Sequence, residues 1–458
     1  MTIKNKTKNI GIFHYQVGHT DGVSLELEKW QRVFEEMGHT VHLCAGDLGS
    51  ADGTLVEEMY HHIPAIEILN YNTFKELRDF DAEGYRAELE RWISILERRF
   101  REFISEKKID LIVPQNVWCV ASNPAVGVAL ENVRREFDIP ALAHNHDFFW
   151  ERRDGVSLTC DAAIELAQKY LPPRGPKITH VVINSLAQKE LLTRKGIVST
   201  VVPNVFDFDA SPWEKDDYNV DFRERIGLKE NDILILQATR IVSRKGIELA
   251  IDFVKALNSP SRRAKLQAHS LYNGQKFTQD SRIVLVLAGY DGDDMSGRYI
   301  RRLKEKAQRE GVDMIHIEDL VDYDRQTRHG KKIYSLWDTY VFADFVTYPS
   351  LWEGWGNQFL EALRARLPIV LFEYPVYQKD IESKGFKIVS LGADIQGVDQ
   401  AGLVQVSPEV IERAADGAVV LLTDRQFRHK TVEHNFHVGQ KHYSLDALRK
   451  YLDQLLTE

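Results

Sequence analysis

Residues 345–362 read FVTYPSLWEGWGNQFLEA, and this stretch indicates the fold more directly than any other part of the sequence. It starts as a short apolar run typical of a buried strand, passes through a loop that contains Gly354 and Gly356, and ends in an apolar helix. Glycines let a phosphate or sugar approach the backbone, and the free N–H groups of a helix start attract an anion. The order of strand, glycine-rich loop and helix therefore predicts an anion-binding loop in an α/β protein.

The alternation of short apolar runs with amphipathic stretches extends over the whole chain. We predict first-half strands at residues 9–14, 40–44, 110–114, 139–143, 178–183 and 200–202. We predict second-half strands at residues 232–236, 283–287, 314–317, 345–348 and 368–371. Repeated strand–helix–strand order predicts an α/β fold with two doubly wound, Rossmann-like domains, each built on a parallel sheet covered on both faces. Ligands bind such sheets at the carboxyl ends of the strands, so we expect a site between the two domains.

The domain boundary is marked by a polar and aromatic stretch that runs from Pro203 to about Asp221. A length of 458 residues suggests about three domains. The residue pattern instead supports two domains, at 1–205 and 206–430, followed by a closing helix within 431–458. Residues 259–281 are too long and polar for a usual connection, so we interpret them as a surface insertion.

The composition excludes several classes of protein. Apolar residues make up 43% of the chain and charged residues 28%, as in an ordinary globular protein. With 59 Lys and Arg against 68 Asp and Glu, the formal net charge is −9, which argues against a nucleic-acid partner. No apolar run is long enough for a membrane helix and the first residues lack a signal-peptide pattern, so we expect a cytoplasmic protein with no integral membrane segment. Cys44, Cys119 and Cys160 are predicted to be buried thiols, not disulfides or zinc ligands.

A second segment that follows a predicted strand, residues 237–246, reads QATRIVSRKG. Arg240 and Lys245 are predicted to point into one crevice, where two cations suit a diphosphate leaving group. Arg244 is predicted to be solvated. Glu353 and Glu361, on either side of the glycine-rich loop, are placed to accept hydrogen bonds from hydroxyl groups. Each glutamate alone is as typical of a solvated loop residue or of a partner for a helix dipole.

Residues 143–153, AHNHDFFWERR, concentrate imidazole, aromatic and guanidinium groups after a predicted strand. Alternation along an extended segment predicts that His146 faces the cleft and His144 packs on the opposite side, which makes joint metal ligation awkward. Phe149 and Trp150 suit either sugar stacking or core packing. Arg152 and Arg153 suit either an anionic acceptor or an ordinary surface position.

In their order along the chain, these motifs resemble the retaining glycosyltransferases of family 4, the glycosyl transferases group 1. Members have the GT-B fold of two facing Rossmann-like domains, with the C-terminal helix packed back on the first. The resemblance rests on the segments already quoted and on further segments at strand and helix ends: Asp21-Gly22-Val23, Gly38-His39-Thr40-Val41, His146-Asp147, Ile183-Asn184-Ser185 and Leu287-Ala288-Gly289. Two departures are Asp21-Gly22, where many members have paired glycines, and the polar pair Asn357-Gln358.

The resemblance implies an acceptor-binding first domain and a nucleotide-sugar-binding second domain. It implies catalytic roles at four positions: Arg240 and Lys245 on the donor diphosphate, Glu353 on the donor sugar and His146 near the reacting centre. It implies nucleotide-sugar contacts at Gly22, Gly289, Leu320, Gly356, Asn357, Gln358 and Glu361, the last of these on the ribose hydroxyls. Asp21, Asp147, Trp150 and Arg152 are the predicted acceptor-binding residues.

The predicted reaction moves a hexose from a UDP-glucose or GDP-mannose type of donor to a hydroxyl group of a soluble sugar or phosphorylated acceptor. The resemblance implies retention at the anomeric carbon. No Asp-x-Asp stands where a metal would bridge a diphosphate, and the acidic cluster at residues 291–294 is interpreted as a turn, so we predict transfer without a metal or other cofactor. The sequence leaves a homo-oligomer open.

Other functions remain open at this point. A nicotinamide oxidoreductase would need Gly-x-Gly-x-x-Gly after an early strand, and neither half supplies it. A GT-B epimerase or phosphorylase, or a non-catalytic nucleotide-sugar-binding protein, would share the fold. A membrane-recruited scaffold would use an arginine-rich helix face at residues 91–101, but interleaved glutamates make a solvated face the better interpretation.

Overall fold

The computed structural model of the chain describes residues 7–152, 154–290 and 297–457. The chain divides into two compact units. The N-terminal unit contains the residues up to Val205 and the segment from Leu445, and the C-terminal unit is Phe206–Ser444. Residues 431–444 thus belong to the C-terminal unit, and not to one closing segment with 445–458 as the sequence predicted. Arg153 and the acidic cluster at 291–294 lie outside the described residues.

The N-terminal unit is built on seven parallel strands in the order β3-β2-β1-β4-β5-β6-β7. The strands are β1 Asn9–His14, β2 Thr40–Ala45, β3 Thr54–Leu55, β4 Leu111–Pro114, β5 Ala141–Asn145, β6 Ile178–Val182 and β7 Ser199–Val201. The helices are α1 Gly22–Glu36, α2 Pro64–Phe74, α3 Ala82–Lys107, α4 Pro124–Glu136, α5 Asp161–Tyr170 and α6 Ser185–Lys195. The strand order reverses between β1 and β4, which is where a doubly wound sheet opens a ligand crevice.

The C-terminal unit repeats this plan with six parallel strands in the order β10-β9-β8-β14-β15-β16. Its strands are β8 Ile233–Gln237, β9 Ile283–Leu287, β10 Asp313–His316, β11 Val321–Asp322, β12 Gln326–Arg328, β13 Lys331–Ser335, β14 Phe345–Tyr348, β15 Ile369–Leu371, β16 Val389–Ser390, β17 Gly397–Val398 and β18 Val404–Gln405. Its helices are α7 Phe222–Arg225, α8 Ile247–Leu257, α9 Pro260–Ala268, α10 Arg298–Glu310, α11 Leu336–Phe342, α12 Asn357–Arg364, α13 Pro408–Thr423 and α14 Arg425–Tyr443. The order reverses between β8 and β14.

Side-chain periodicity explains why these elements form and how they pack. Strands β8 and β9 are buried along their whole length, as expected for strands covered on both faces. Helix α1 buries Leu27, Trp30 and Phe34 at helical spacing against the sheet. The last helix, α15 Leu445–Thr457, places Leu448 and Leu452 in the same core cluster. The prediction of two doubly wound domains with a C-terminal helix packed on the first is confirmed.

Several expectations about surfaces and thiols can be compared with the structure. The three cysteines are free thiols, with Cys44 and Cys119 buried and Cys160 half-buried. Helix α3 carries surface ion pairs in which glutamates pair with Arg91, Arg99 and Arg101. Within the described ranges, none of the helices has the length and apolar character needed to cross a membrane. The segment 259–281, interpreted from the sequence as a surface insertion, contains helix α9.

Candidate active site

The predicted donor-site residues of the C-terminal unit follow two neighbouring strands at the reversal of strand order. Arg240 and Lys245 lie after β8, and Glu353 and Gly356 lie after β14. Because β8 and β14 pair in parallel, their carboxyl ends meet at one edge of the sheet, and the two loops pack together. The Leu351 N–H donates to the Arg244 carbonyl oxygen at 2.8 Å.

Glu353 is the centre of this arrangement. Its Oε1 accepts a hydrogen bond from Lys245 Nζ, and its Oε2 accepts one from Arg244 Nη1 at 2.7 Å. Lys245 and Glu353 are buried, and Arg244 is only partly exposed. Burial would raise the pKa of Glu353, but the charges of Lys245 and Arg244 lower it to about 2. The carboxylate is therefore ionised across the physiological range, and Arg244 belongs to the site instead of being solvated as predicted.

Lys245 lies among several charges. Burial lowers its pKa, Glu353 opposes that effect, and Arg244 and Arg240 add to it. The side chain of Arg240 is exposed, and its charge still reaches Lys245. The loop after β8 thus presents three cations, two of which contact Glu353, and guanidinium and ammonium groups of this kind suit a diphosphate.

Gly289 has a packing role in the structure. A Cβ atom at this position would lie 1.9 Å from the Thr239 carbonyl oxygen and 2.8 Å from the Arg240 nitrogen. The backbone after β9 therefore lies directly on the backbone that leads to Arg240. The His316 Nε2–H donates to the Gly289 carbonyl oxygen at 3.0 Å. These contacts place Gly289 where it fixes the Arg240 loop, and its predicted contact with the nucleotide sugar stays a prediction.

The glycine-rich loop is fixed by tyrosines. Tyr374 donates a hydrogen bond from its hydroxyl group to the Trp355 carbonyl oxygen at 2.7 Å. Gly356 has φ +129°, and a Cβ atom there would lie 2.3 Å from the Tyr374 hydroxyl oxygen, so only glycine fits. Helix α12 follows with no side-chain cap on its N-terminus. Its first turn, at Asn357 and Gln358, therefore keeps the character of an anion-binding helix start.

Glu361 lies on α12, about one turn beyond its start at Asn357. The Tyr340 hydroxyl group donates to Glu361 Oε2 at 2.6 Å, which orients the carboxylate from the neighbouring helix α11. Tyr340 is buried. Leu320 is half-buried in the short turn after β10. Glu361 and Leu320 therefore lie on segments that follow β14 and β10, and their predicted contacts with the nucleotide stay predictions.

The N-terminal unit has its own polar cluster at the reversal between β1 and β4. The side chain of His146, after β5, donates from Nε2 to Gln115 Oε1 at 3.2 Å. The side chain of His14 donates from Nδ1 to the Gln115 carbonyl oxygen at 2.7 Å. Asn116 Oδ1 accepts from the backbone N–H groups of His146 and Asp147 at 3.0 and 3.1 Å. Gln115 and Asn116 therefore hold both imidazoles and the loop after β5.

The two histidines of this segment do not point to opposite faces, and that prediction is wrong. The ring centroids of His144 and His146 lie 4.1 Å apart, because residues two apart along an extended segment lie on the same face. His144 stacks on Trp30 with centroids 4.1 Å apart. Burial, and after it the charges of His14 and Lys29, lower the pKa of His146 to about 3, so its ring is neutral near pH 7. In the described part of the chain, no cluster of His, Cys, Asp or Glu could hold a metal ion.

The start of α1 is closed by Asp21. Its Oδ1 accepts from the backbone N–H groups of Val23 and Ser24 at 3.0 and 3.1 Å, and its Oδ2 accepts from Gln16 Nε2 at 2.8 Å. Burial raises the pKa of Asp21, and the hydrogen bonds from Ser24 and Gln16 outweigh that effect and lower it. Gly22 is the exposed first residue of the helix. A capped helix start that carries its own carboxylate repels a phosphate, so a phosphate contact at Asp21-Gly22 does not fit this geometry.

The remaining predicted acceptor residues have mainly packing contacts. Trp150 stacks on Phe148 with centroids 4.4 Å apart. The guanidinium group of Arg152 donates to Asn70 Oδ1 at 2.9 Å and to the Val120 carbonyl oxygen at 3.0 Å. Asp147 is half-buried beside Asn116. Trp150 and Arg152 therefore support the loops after β4 and β5, and their contact with an acceptor stays a prediction.

Comparison with known proteins identifies the family. The family model for glycosyl transferases group 1 matches residues 220–389. Over 442 residues the chain is 38% identical to mannosylglucosylglycerate synthase of Petrotoga mobilis, which covers 96% of this chain and 99% of that protein. A mannosylglucosylglycerate synthase of Thermotoga maritima is 38% identical over 447 residues, with 97% and 99% covered. The chain belongs to the group 1 glycosyltransferases.

Solved structures agree on the fold of this glycosyltransferase. A glycosyltransferase of Rickettsia africae superimposes with a TM-score of 0.61 at 13% identity, covering 98% of both chains. Sucrose-phosphate synthase of Thermosynechococcus elongatus superimposes with a TM-score of 0.60 at 14% identity, again covering 98% of both chains. The fold is GT-B, and the protein is an enzyme that uses a sugar donor and an acceptor.

Three residues of the candidate site were missed by the sequence analysis: Arg244, Gln115 and Tyr374. Gln115 follows a buried strand directly, so the rule that selected His146 would have selected it as well. Tyr374 follows β15 at the border of the expected cleft, and nothing in its local sequence connects it with the glycine-rich loop. Arg244 could not be separated from a surface residue, because its partner Glu353 is distant in sequence.

Proposed function

We propose that this glycosyltransferase transfers a mannosyl group, with retention and without a metal ion, from a nucleoside diphosphate mannose to a hydroxyl group of glucosylglycerate. The observation that carries the proposal is the 38% identity, over nearly the full length, to two mannosylglucosylglycerate synthases. In the product named there, mannose is the outermost group, so the last transfer is that of a mannosyl group. The donor thus belongs to the second of the two donor types expected from the sequence.

The cations after β8 fit departure of the diphosphate. When the bond between the anomeric carbon and the bridging oxygen breaks, negative charge grows on that oxygen. Lys245 is held in place by Glu353 before the reaction, so it stabilises this charge without reorganising, and Arg240 adds its charge from the same loop. The uncapped start of α12 adds backbone N–H groups beside them. This accounts for donor activation by side chains and backbone of this chain alone.

The two glutamates fit recognition of hydroxyl groups. Glu353 is fixed by Lys245 and Arg244 and also interacts with Ser350 and Tyr348. An ionised carboxylate only accepts hydrogen bonds, so a sugar hydroxyl group is a suitable donor to Glu353. Glu361 is oriented by Tyr340 and suits the ribose hydroxyl groups. Removal of the Glu353 charge would also release Lys245, so donor sugar and diphosphate recognition are coupled through one carboxylate.

The proposed transfer balances without an external base. The acceptor oxygen bonds the anomeric carbon on the face that the diphosphate leaves, and the acceptor proton passes to the departing diphosphate oxygen. His146 is neutral at pH 7 and positioned by Gln115, so it suits hydrogen bonding to a sugar hydroxyl group and not proton supply. Retention follows from attack on that same face.

The test is a matrix of donors and acceptors. Purified protein is incubated with GDP-mannose, UDP-glucose or ADP-glucose, each with glucosylglycerate, with glycerate, with inorganic phosphate or alone, and products are separated by chromatography and identified by NMR and mass spectrometry. We expect mannosyl transfer to glucosylglycerate, and much slower turnover by Arg240→Ala. Donor conversion without an acceptor would indicate an epimerase, and a sugar phosphate would indicate a phosphorylase; either outcome contradicts the proposal.

A further inference from the structure

A cavity lies in the N-terminal unit, away from the carboxyl ends of the strands. Its volume is about 470 Å³, and it is formed where helices α4, α5 and α6 end. It is lined by Arg135, Gln168, Lys169, Tyr170, Arg174, Arg194 and Lys195. Five of these seven residues are basic, and none of them is among the predicted catalytic, donor or acceptor residues. The lining therefore differs strongly from a protein surface with a net charge of −9.

Three of the five cations are already paired with a glutamate on their own helix: Arg135 with Glu131, Lys169 with Glu165, and Arg194 with Glu190. Across the described ranges, no carboxylate lies within ion-pair distance of the other two, Arg174 and Lys195. The cavity thus has an excess of two positive charges. An excess of this size matches one dianionic group.

The environment of Lys195 supports an anion site in this cavity. Its Nζ donates to the carbonyl oxygens of Ala167 and Gln168 at 2.7 and 2.8 Å, which holds the ammonium group at the end of α5. An ammonium group has three N–H donors, so a third direction remains. Burial lowers the pKa of Lys195 to about 8, and the charge of Arg174 adds to this effect. Two cations are therefore held close together against their mutual repulsion.

Compensation of helix dipoles explains only part of the cluster. Basic residues are favoured in the last turn of a helix, and Arg135, Lys169, Arg194 and Lys195 all occupy such positions. Arg174 lies outside any helix, in the loop between α5 and β6. Its Nη2 lies 3.1 Å from the position that a Cβ atom of Gly196 would take, so its guanidinium group lies over the end of α6. Arg174 therefore adds a further cation at a helix end where Arg194 and Lys195 already oppose the dipole.

We propose that this cavity binds a dianionic phosphate group, as inorganic phosphate or a phosphate monoester, between the guanidinium group of Arg174 and the ammonium group of Lys195. A guanidinium group binds two phosphate oxygens side by side, and Lys195 supplies a point charge with a fixed position. The site is separate from the proposed donor site in the C-terminal unit, and it does not depend on the proposed reaction.

The experiment is a calorimetric titration of the full chain with inorganic phosphate, with chloride added to give equal ionic strength in every sample. The variants are Arg174→Ala and Lys189→Ala. In the described structure the Arg174 side chain makes no hydrogen bond to the backbone, so its removal breaks none. Lys189 is exposed on α6 and outside the cavity, so its variant is a control for net charge. We expect Arg174→Ala to weaken phosphate binding about tenfold or more, since a charge-assisted hydrogen bond contributes that much, and Lys189→Ala to leave it unchanged. Absence of phosphate binding, or equal weakening in both variants, would overturn the proposal.

A third variant separates this site from the proposed diphosphate site, where phosphate is also expected to bind. Arg240→Ala should retain the phosphate-binding event that Arg174→Ala loses. Binding that is lost in Arg240→Ala and kept in Arg174→Ala assigns the event to the donor site and contradicts the proposal. In a final arm, co-sedimentation with phosphatidic acid vesicles, against phosphatidylcholine vesicles, distinguishes the source of the group. Arg174-dependent sedimentation supports a lipid monoester as the ligand, and phosphate binding without sedimentation supports a small metabolite.

Discussion

At the scale of single residues, the Glu353 carboxylate connects most of the candidate donor site. It joins Lys245 and Arg244, which come from the loop after β8, to the glycine-rich loop after β14. Removing its charge leaves a buried ammonium group without a partner, which costs about 3 kcal/mol or more. Glu353→Gln is therefore expected to lower both the stability and the turnover of the enzyme, the latter about a hundredfold.

The pH dependence of stability tests this ion pair. The folded-state pKa of Glu353, about 2, is below its ordinary value of 4.5. The contribution of ionised Glu353 to the free energy of unfolding is therefore complete above pH 4.5 and is lost as the pH falls toward 2. In guanidinium denaturation series, the difference in unfolding free energy between wild type and Glu353→Gln should shrink over that range. Glu106→Gln, which changes an exposed ion pair on α3, should show almost no difference, and equal behaviour of the two variants would be a contradiction.

A second residue-scale prediction concerns Gln115 as a positioning residue for His146. Gln115→Leu removes the side-chain hydrogen bond to His146 and keeps the backbone carbonyl group that holds His14. We expect kcat to fall about tenfold or more with little change in donor affinity, because a ring that is free to rotate is less often in place. Steady-state kinetics and donor titration measure the two quantities. Asn72→Leu, another buried amide of the N-terminal unit, should lower Tm without lowering kcat; a comparable loss of kcat there would remove the positioning argument.

The sequence could predict those candidate site residues that follow buried strands. His146, Arg240 and Glu353 were selected because a polar residue at the carboxyl end of a parallel strand faces a crevice. Their partners could not be selected in the same way. Arg244 meets Glu353, and Gln115 meets His146, because their strands are neighbours in the sheet. Strand order cannot be predicted from local sequence.

At the scale of elements, the β8, β9 and β14 loops are fixed against one another by backbone contacts. Gly289→Ala would put a methyl group 1.9 Å from the Thr239 carbonyl oxygen, and a backbone atom cannot move aside as a side chain can. We expect this variant to lose about 3 kcal/mol or more of stability, or not to fold. Gly417→Ala is the matched control, because it lies inside α13 with no atom closer than 3.9 Å and should be stabilising by up to about 1 kcal/mol. Thermal unfolding of both variants decides, and a wild-type Tm for Gly289→Ala would contradict the contact.

Elements with a clear apolar run were predictable, and polar ones were not. Strands β1, β9 and β14 have the predicted bounds, because each is a buried run that begins directly after a charged residue. Helix α9 and the hairpin of β12 and β13 lie in polar stretches, where periodicity gives no signal. Helix α14 was divided at the wrong place because its histidine-rich end, 435–443, resembles a loop in composition.

At the scale of the whole molecule, the chain returns to its first unit through α15. Leu452 is fully buried in a core cluster with Trp30 and Val33 of α1. Leu452→Ala should cost about 2–5 kcal/mol. Hydrogen exchange should then show faster exchange in α1 and unchanged protection in α8, which belongs to the other unit. Gln454→Ala, on the exposed face of α15, should leave hydrogen exchange in both α1 and α8 unchanged. Loss of protection in α8 in the Leu452→Ala variant would mean that α15 does not stabilise the N-terminal unit alone.

We propose that the cations and carboxylates of this chain carry out retaining mannosyl transfer to glucosylglycerate. NMR of the product formed from GDP-α-mannose and glucosylglycerate in the presence of EDTA tests both the stereochemistry and the need for a metal. We expect a mannosylglucosylglycerate in which the one-bond carbon–hydrogen coupling at the mannosyl anomeric centre is that of an α linkage, formed at the same rate as without EDTA. A β-linked product, or activity that is lost with EDTA and restored by magnesium or manganese, would contradict it.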